Sequence, residues 1–337
     1  MTVPLPMGAH WIRFPRFFGD AMMNNTAIAP LRAAGLPLVA WGPGWVVDLF
    51  AGSAEYCAAV PDPERKYSPL QAAALLRGHR PASLINFPKS HRPMLAAFLA
   101  RVPLRLGCGD GGASLFYTHS VAFYKQDTAF VDRYASVVAR AFPDLAPGPF
   151  RPYRPRTEAM ETVAARRADL GLGDYVVLAP GANCENKRLS VASFAALGER
   201  LLRSGLTPVI LGAGPVDQAL SAAIRARVPG ALDCAGQGGL AVSAAWIAGA
   251  RALVGMDSGL AHLAAGCGIP TLAVFGPTRP RHSAPRGPRV RVVRREDLGC
   301  LECMTFECPV PGLPCMTALP DDFLWKELQA VMETALS

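Results

Sequence analysis

Short apolar runs alternate with helix-patterned stretches through the second half of the chain. Residues 175–179, 208–212, 252–255 and 271–275 are continuous apolar runs of strand length bounded by turn residues, the pattern of strands buried on both faces. Between the first two, Phe194, Leu197 and Leu201 recur at helical spacing, with Ser190 placed to cap the helix start and Gly205 to end it, which predicts a helix over 190–204. Strand and helix in alternation predict a parallel α/β sheet. The first half is less regular, but 38–41 and 82–87 read as strands and 94–100 as a helix, so a second α/β unit is expected there.

Between 146 and 156 the run Ala-Pro-Gly-Pro-Phe-Arg-Pro-Tyr-Arg-Pro-Arg holds four prolines and sustains neither a helix nor a central strand. It predicts a connector between domains spanning 1–150 and 157–337. At 337 residues, 51% hydrophobic and 18% charged, the chain has the size and composition for two globular domains.

The net charge of +8 favours anionic partners. No run of five or six basic residues occurs and none is interleaved with aromatic stacking residues, so phosphorylated small molecules fit better than nucleic acid. The N-terminus lacks a basic segment followed by an apolar core, and the apolar stretch 253–275 is broken by Asp257, His262 and Pro270. A cytoplasmic protein is expected, any membrane contact being peripheral.

Three loops follow predicted strands and should converge at the carboxyl edge of the sheet, where open α/β sheets bind ligands. In 180–188, Gly181 and Ala182 leave room for close backbone approach, and Lys187 and Arg188 supply charge; taken alone the loop reads equally as a solvated turn. Gly212 lies in Gly-Ala-Gly-Pro-Val-Asp, a poor match to a dinucleotide fingerprint because position 217 is Asp, so a tight strand-to-helix turn is as good a reading as a nucleotide contact. The third loop, Asp257-Ser258-Gly259, opens a helical pattern containing His262. Asp257 and Ser258 are natural caps, and the free N–H groups at such a start form an anion site suited to a diphosphate. A lone histidine one turn into a helix is more often structural, but its spacing from this turn makes it a candidate donor to phosphate or ribose.

Near the N-terminus Gly19-Asp20 follows an apolar segment. Asp20 reads either as a helix cap or as a carboxylate placed to act as a general base. Cys300, Cys303, Cys308 and Cys315 cluster within 16 residues. Their spacing allows a zinc or iron–sulfur site, but unbridged thiols or a local disulfide weigh more, because only the first pair has knuckle spacing. The other five cysteines stand alone and read as reduced thiols.

The run Asp257-Ser-Gly-Leu-Ala-His262-Leu-Ala-Ala-Gly-Cys-Gly-Ile-Pro270, continuing to Phe275-Gly-Pro-Thr278, resembles glycosyltransferase family 9, the bacterial heptosyltransferases of lipopolysaccharide core assembly. Gly19-Asp20, the stretch 87–107, Pro180-Gly181-Ala182 and Lys187-Arg188 extend the resemblance over most of the chain. It implies a GT-B architecture, two Rossmann-like domains facing each other across a cleft, the first binding acceptor and the second donor. It also implies inverting transfer without metal or cofactor, with ADP-L-glycero-β-D-manno-heptose as donor and a phosphorylated, lipid-linked core saccharide as acceptor. Asp20 matches the family's base, and Lys187, Asp257, Ser258, Gly259 and His262 match its donor-phosphate residues. Arg13, Arg16, Lys89 and Arg92 are candidate acceptor contacts, each also readable as solvated surface charge. The chain departs from the family at 25–30, where the proline of the first helix is shifted, and at Leu189, where members often carry Trp. A GT-B transferase or epimerase using another nucleotide sugar, and a non-catalytic nucleotide-sugar binding homologue, remain as alternatives.

Overall fold

The computed structural model describes residues 5–62, 68–88, 90–109, 111–121, 128–146 and 150–334. The chain divides into two compact units, Met1–Thr157 and Glu158–Ser337. Each is an α/β unit around one six-stranded sheet whose strand pairings are all parallel.

In the first unit the strands are β1 (His10–Arg13), β2 (Leu38–Gly42), β3 (Ala58–Pro61), β4 (Ser83–Asn86), β5 (Leu104–Cys108) and β6 (His119–Val121), in the order β3-β2-β1-β4-β5-β6. Trp11 and Trp41 meet edge to face beneath the sheet, ring centroids 6.0 Å apart, with Leu76, Leu84 and Met94 packed into the same core. In the second unit the strands are β7 (Tyr175–Ala179), β8 (Thr207–Ile210), β9 (Leu232–Asp233), β10 (Ala252–Met256), β11 (Thr271–Val274) and β12 (Val290–Val293), in the order β12-β11-β10-β7-β8-β9. Both sheets therefore carry the doubly wound Rossmann order, with reversal of strand order between β1 and β4 in one and β7 and β10 in the other.

The predicted helix between β7 and β8 spans Val191–Arg203. The Ser190 side chain accepts from the Ser193 backbone N–H, and Gly205 takes a positive φ of 76° just past its end, a conformation that glycine adopts without steric cost. Phe194, Leu197 and Leu201 are buried against Val176, Leu178 and Ile210, as their spacing requires.

The shifted proline has a local explanation. A helix Phe18–Ala27 ends before it, and Pro30 sits in the first turn of a separate short helix, Ala29–Ala33, where its missing N–H costs nothing. The proline-rich segment is not a free connector over its described part. Tyr153 is buried, its hydroxyl donates to the Leu49 carbonyl at 2.7 Å, and its ring meets Phe50 edge to face at 5.9 Å. Arg156 lies 3.7 Å from Asp48. The first unit runs to Thr157, so the division falls at the end of this segment.

Candidate functional site

The strand-order reversal of the second sheet brings the loop after β7 beside the loop after β10, since Ala179 pairs with Gly255. There Lys187 and Asp257 form an ion pair, Nζ to Oδ2 2.9 Å, both side chains largely buried. Desolvated pairs of this kind hold their geometry firmly, because breaking one leaves an uncompensated charge. The pair brings the first and third candidate loops into contact at the position where doubly wound sheets take ligands.

Immediately after Asp257 the helix Gly259–Gly266 begins, with Ser258 at its cap position in extended conformation. Neither expected cap acts as one: no side chain satisfies the helix start, and Ser258 Oγ is buried with no hydrogen-bond partner. His262 is 5% exposed, its Nε2 lies 3.9 Å from Asp257 Oδ1, and its Nδ1 is buried without a partner. Burial pushes His262 down to about 4, against an upward pull from Asp257, with Lys187 adding to the depression. The ring is thus neutral at pH 7, and the contact with Asp257 is not an ion pair there. Thr278 Oγ1, in the loop after the adjacent β11, is also buried and unpartnered. Buried polar atoms without partners cost stability, and a cluster of them around a helix start and a lysine suits an anion rich in hydrogen-bond acceptors.

The glycines at 181 and 212 have a role that local sequence could not show. A Cβ on Gly181 would stand 2.0 Å from Asp217 Oδ1, and one on Gly212 would stand 2.5 Å from Asp217 Cβ. The space they leave is occupied by Asp217, whose Oδ2 accepts from the Ala213 backbone N–H at 2.6 Å. Residue 217, which spoils the dinucleotide fingerprint, is the reason for both glycines. Arg188 is likewise turned inward, its Nε and Nη2 both donating to the Ala182 carbonyl at 3.1 and 2.8 Å. It braces the 180–182 loop and holds the adjoining Lys187 segment in register.

In the first unit, Phe87 N donates to the Arg13 carbonyl, so the segments after β1 and β4 run together at that sheet's reversal point. Asp20 is exposed in the first turn of helix Phe18–Ala27 but is not its cap, a position held by Phe17. Its negative charge reaches Tyr134, whose hydroxyl is raised chiefly by burial and then by Cys108 and Asp20. Tyr134 donates to the Phe87 carbonyl at 3.0 Å; it lies on the helix Phe130–Ala141, too far along the chain for sequence spacing to connect it with Asp20.

Arg16 and Arg92 are exposed, Arg16 with its guanidinium 6.0 Å from the Phe17 ring centroid. Arg13 differs from the expected acceptor contact: its Nη2 pairs with Asp62 at 3.0 Å, its Nη1 donates to the Phe14 carbonyl at 2.6 Å, and it stacks over Trp41. At the end of a central strand, burial forces the guanidinium onto these partners. Lys89 lies outside the described residues.

Cys300, Cys303 and Cys308 lie between β12 and the helix Pro314–Thr317, and Cys315 lies in that helix. Cys315 is pushed up to about 11, first by burial and then by Cys308, Cys300 and Cys303. All four are free thiols, and among the described residues no group of three or more His, Cys, Asp or Glu is arranged to hold a metal ion. The loop is strapped to the site: Asn186, next to Lys187, donates to the Thr305 carbonyl at 2.6 Å, and Met304 N donates to the Pro277 carbonyl.

The family model for glycosyltransferase family 9 (heptosyltransferase) matches residues 76–313, well over half of the chain. The chain belongs to glycosyltransferase family 9. Lipopolysaccharide heptosyltransferase 2 of Salmonella typhimurium is 26% identical to this family 9 chain over 305 residues, covering 83% of it and 86% of the relative. The structure of E. coli ADP-heptose lipopolysaccharide heptosyltransferase II superposes with a TM-score of 0.78 at 21% identity, over 96% of this chain and 98% of that one. An E. coli heptosyltransferase solved with ADP gives 0.71 at 18% identity, over 96% and 99%. The two doubly wound units are those of the GT-B fold, and the protein is a glycosyltransferase of the heptosyltransferase family. None of its described helices is long and apolar enough to cross a membrane.

Proposed function

We propose that this glycosyltransferase moves heptose from ADP-L-glycero-β-D-manno-heptose to a phosphorylated, lipid-linked saccharide of the lipopolysaccharide core, with inversion at the anomeric carbon. The observation that carries the reading is the Lys187–Asp257 pair at the β7/β10 reversal point, beside the helix start at Gly259 and the neutral His262. Its support from relatives is the family match and the likeness to proteins described with ADP and ADP-heptose.

In this reading the donor diphosphate lies against the backbone N–H groups opening helix Gly259–Gly266. Lys187 donates to a phosphate oxygen while Asp257 orients its ammonium group. Ser258 Oγ and His262 Nδ1 supply further donors, and Gly181, Ala182, Arg188 and Gly212 shape the adjoining loops around Asp217. As the bond from the anomeric carbon to the phosphate oxygen breaks, its electron pair passes to the departing ADP, where Lys187 and the helix start stabilise the added charge. The acceptor hydroxyl oxygen bonds to the anomeric carbon from the opposite face and its proton goes to the Asp20 carboxylate. Arg16 and Arg92, with Lys89, serve acceptor phosphates; Arg13 supports the end of β1.

The direct test is transfer from ADP-heptose to a defined core acceptor, followed by the anomeric configuration of the product. Retention, or absence of transfer with an intact ADP-binding protein, would refute the proposal. Competition among ADP, UDP and GDP by calorimetry separates this donor from other nucleotide sugars, a UDP preference excluding heptose.

A further inference from the structure

The three loops at the carboxyl edge of the second sheet are short of positive charge. Residues 180–188, 211–217 and 256–262 together hold two cations, Lys187 and Arg188, against three carboxylates, Glu185, Asp217 and Asp257, and His262 is neutral at pH 7. Lys187 is already matched by Asp257, and Arg188 donates twice to the Ala182 carbonyl. A departing diphosphate gains negative charge as its bond breaks, and a cation aimed at the place where that charge appears lowers the barrier.

The next loop supplies one. β10 and β11 are neighbours with Met256 opposite Val274, so Asp257 and Phe275 leave their strands side by side at one edge of the sheet. Residues 275–289 hold four arginines and no acid. Arg289 lies at the opposite edge, where it donates to the Gly268 carbonyl, and Arg281 and Arg286 are exposed. Arg279 differs from these. It is half-buried, its Nε is buried without a hydrogen-bond partner, and it directly follows Thr278, whose Oγ1 is in the same state.

Glu302 is the acid that faces it. Its Oε1 accepts from Arg294 Nη1 at 2.8 Å, while its Oε2 stands 3.6 Å from Arg279 Nε, beyond hydrogen-bond reach. Glu302 and Met304 both take left-handed backbone, with φ of 58° and 57°, which costs a non-glycine residue energy and persists only where the surroundings fix it. Here Met304 N donates to the Pro277 carbonyl, and the Thr305 carbonyl accepts from Asn186, next to Lys187. One strained segment therefore ties the loop of Arg279 to the segment of Lys187.

We infer that Arg279 is a further catalytic residue of the transfer, its guanidinium binding the β-phosphate of the donor and stabilising it as the leaving group, with Thr278 Oγ1 donating to the same phosphate. The inference rests on the donor reading above. As the bond between the anomeric carbon and the β-phosphate oxygen breaks, its electron pair moves onto that oxygen; Arg279 donates hydrogen bonds and keeps its protons, and the acceptor's proton goes to Asp20. Lys187, fixed by Asp257, holds the diphosphate throughout. Arg279, not hydrogen-bonded to Glu302, can tighten onto the phosphate as charge builds, which is the kind of contact that raises kcat.

Calorimetric titration of the full-length protein with ADP and with AMP tests this, alongside steady-state rates. Arg279→Gln should bind ADP roughly ten- to a hundredfold more weakly, the range for a lost hydrogen bond to a charged group, and AMP within about threefold of wild type, since AMP has no β-phosphate. Its kcat should fall by about a hundredfold. Arg279→Lys keeps the charge without the fork and should recover part of both losses. Glu302→Gln removes the competing carboxylate but keeps an oxygen for Arg294, and should raise ADP affinity, whereas a residue that only braced the loop would lower it. Arg225→Gln, the same charge change at an exposed position of the helix Pro215–Arg227, should leave ADP binding within about twofold of wild type. Melting curves confirm folding, and Arg279→Lys and Glu302→Gln carry the test if Arg279→Gln does not fold. Undiminished ADP affinity in Arg279→Gln, equal loss for ADP and AMP, or weaker ADP binding by folded Glu302→Gln would overturn this inference and leave the donor site at Lys187 standing; a wild-type protein that binds no ADP would overturn both.

Discussion

Lys187 Nζ and Asp257 Oδ2 stand 2.9 Å apart although the residues are 70 positions apart in sequence, and their contact closes the reversal point of the second sheet. A charge-assisted hydrogen bond is worth about 1.5–3 kcal/mol, so Lys187→Ala should weaken ADP binding by roughly ten- to a hundredfold. Asp257→Ala should weaken it less, because the lysine remains but is no longer oriented. Isothermal titration of both single variants and the double variant should give a clearly non-additive cycle; additivity would mean that the two side chains act on ADP separately.

Asp20 is exposed and does not cap its helix, so its removal should leave the first unit folded. Asp20→Asn is expected to lower kcat by about two to four orders of magnitude, the usual contribution of a general base, with ADP affinity unchanged. Steady-state rates alongside ADP titration check this, and unimpaired turnover would remove Asp20 from the role of base.

His262 makes stability depend on pH. Its folded pKa of about 4 lies below the ordinary value of 6.5, so the unfolded chain binds the extra proton between those values. The contribution is fully present above pH 6.5 and is lost as pH falls toward 4, to a limit of about 3 kcal/mol. Melting curves between pH 7.5 and 4.5 should show wild type losing more stability than His262→Gln; parallel curves would place the residue in a less buried setting.

Gly181 and Asp217 form a steric pair. Gly181→Ala places a methyl group against the Asp217 carboxylate and should destabilise the second unit by about 1–3 kcal/mol, in the range of overpacking substitutions. Adding Asp217→Ala should recover much of that loss despite removing the bond to Ala213 N. Denaturant titrations of the single and double variants provide the comparison, and a strictly additive double variant would show that Asp217 is not what excludes a side chain at 181.

Local signals carried much of the architecture because they act within a few residues. Apolar runs of strand length marked β2, β4, β7, β8, β10 and β11, and the Ser190 and Gly205 signals bounded a helix within one residue at each end. The motif from Asp257 to Thr278, with Lys187 and Asp20, pointed to the family that the family model matches. Cap preference alone was less informative: Asp20 and Ser258 are common cap types, yet neither side chain caps its helix.

By itself, then, the sequence determined the α/β class, several element boundaries and the family resemblance, since periodicity, turn chemistry and a contiguous motif are all written along the chain. Tertiary structure alone decided how side chains far apart in sequence were committed. It turned Arg13 onto Asp62 and Trp41, filled the room beside Gly181 and Gly212 with Asp217, and packed Tyr153 against the first unit. It also joined Lys187 to Asp257 at the reversal point of the second sheet. Those outcomes depend on which strands become neighbours and which charges must find partners once buried, and no short window of sequence contains that information.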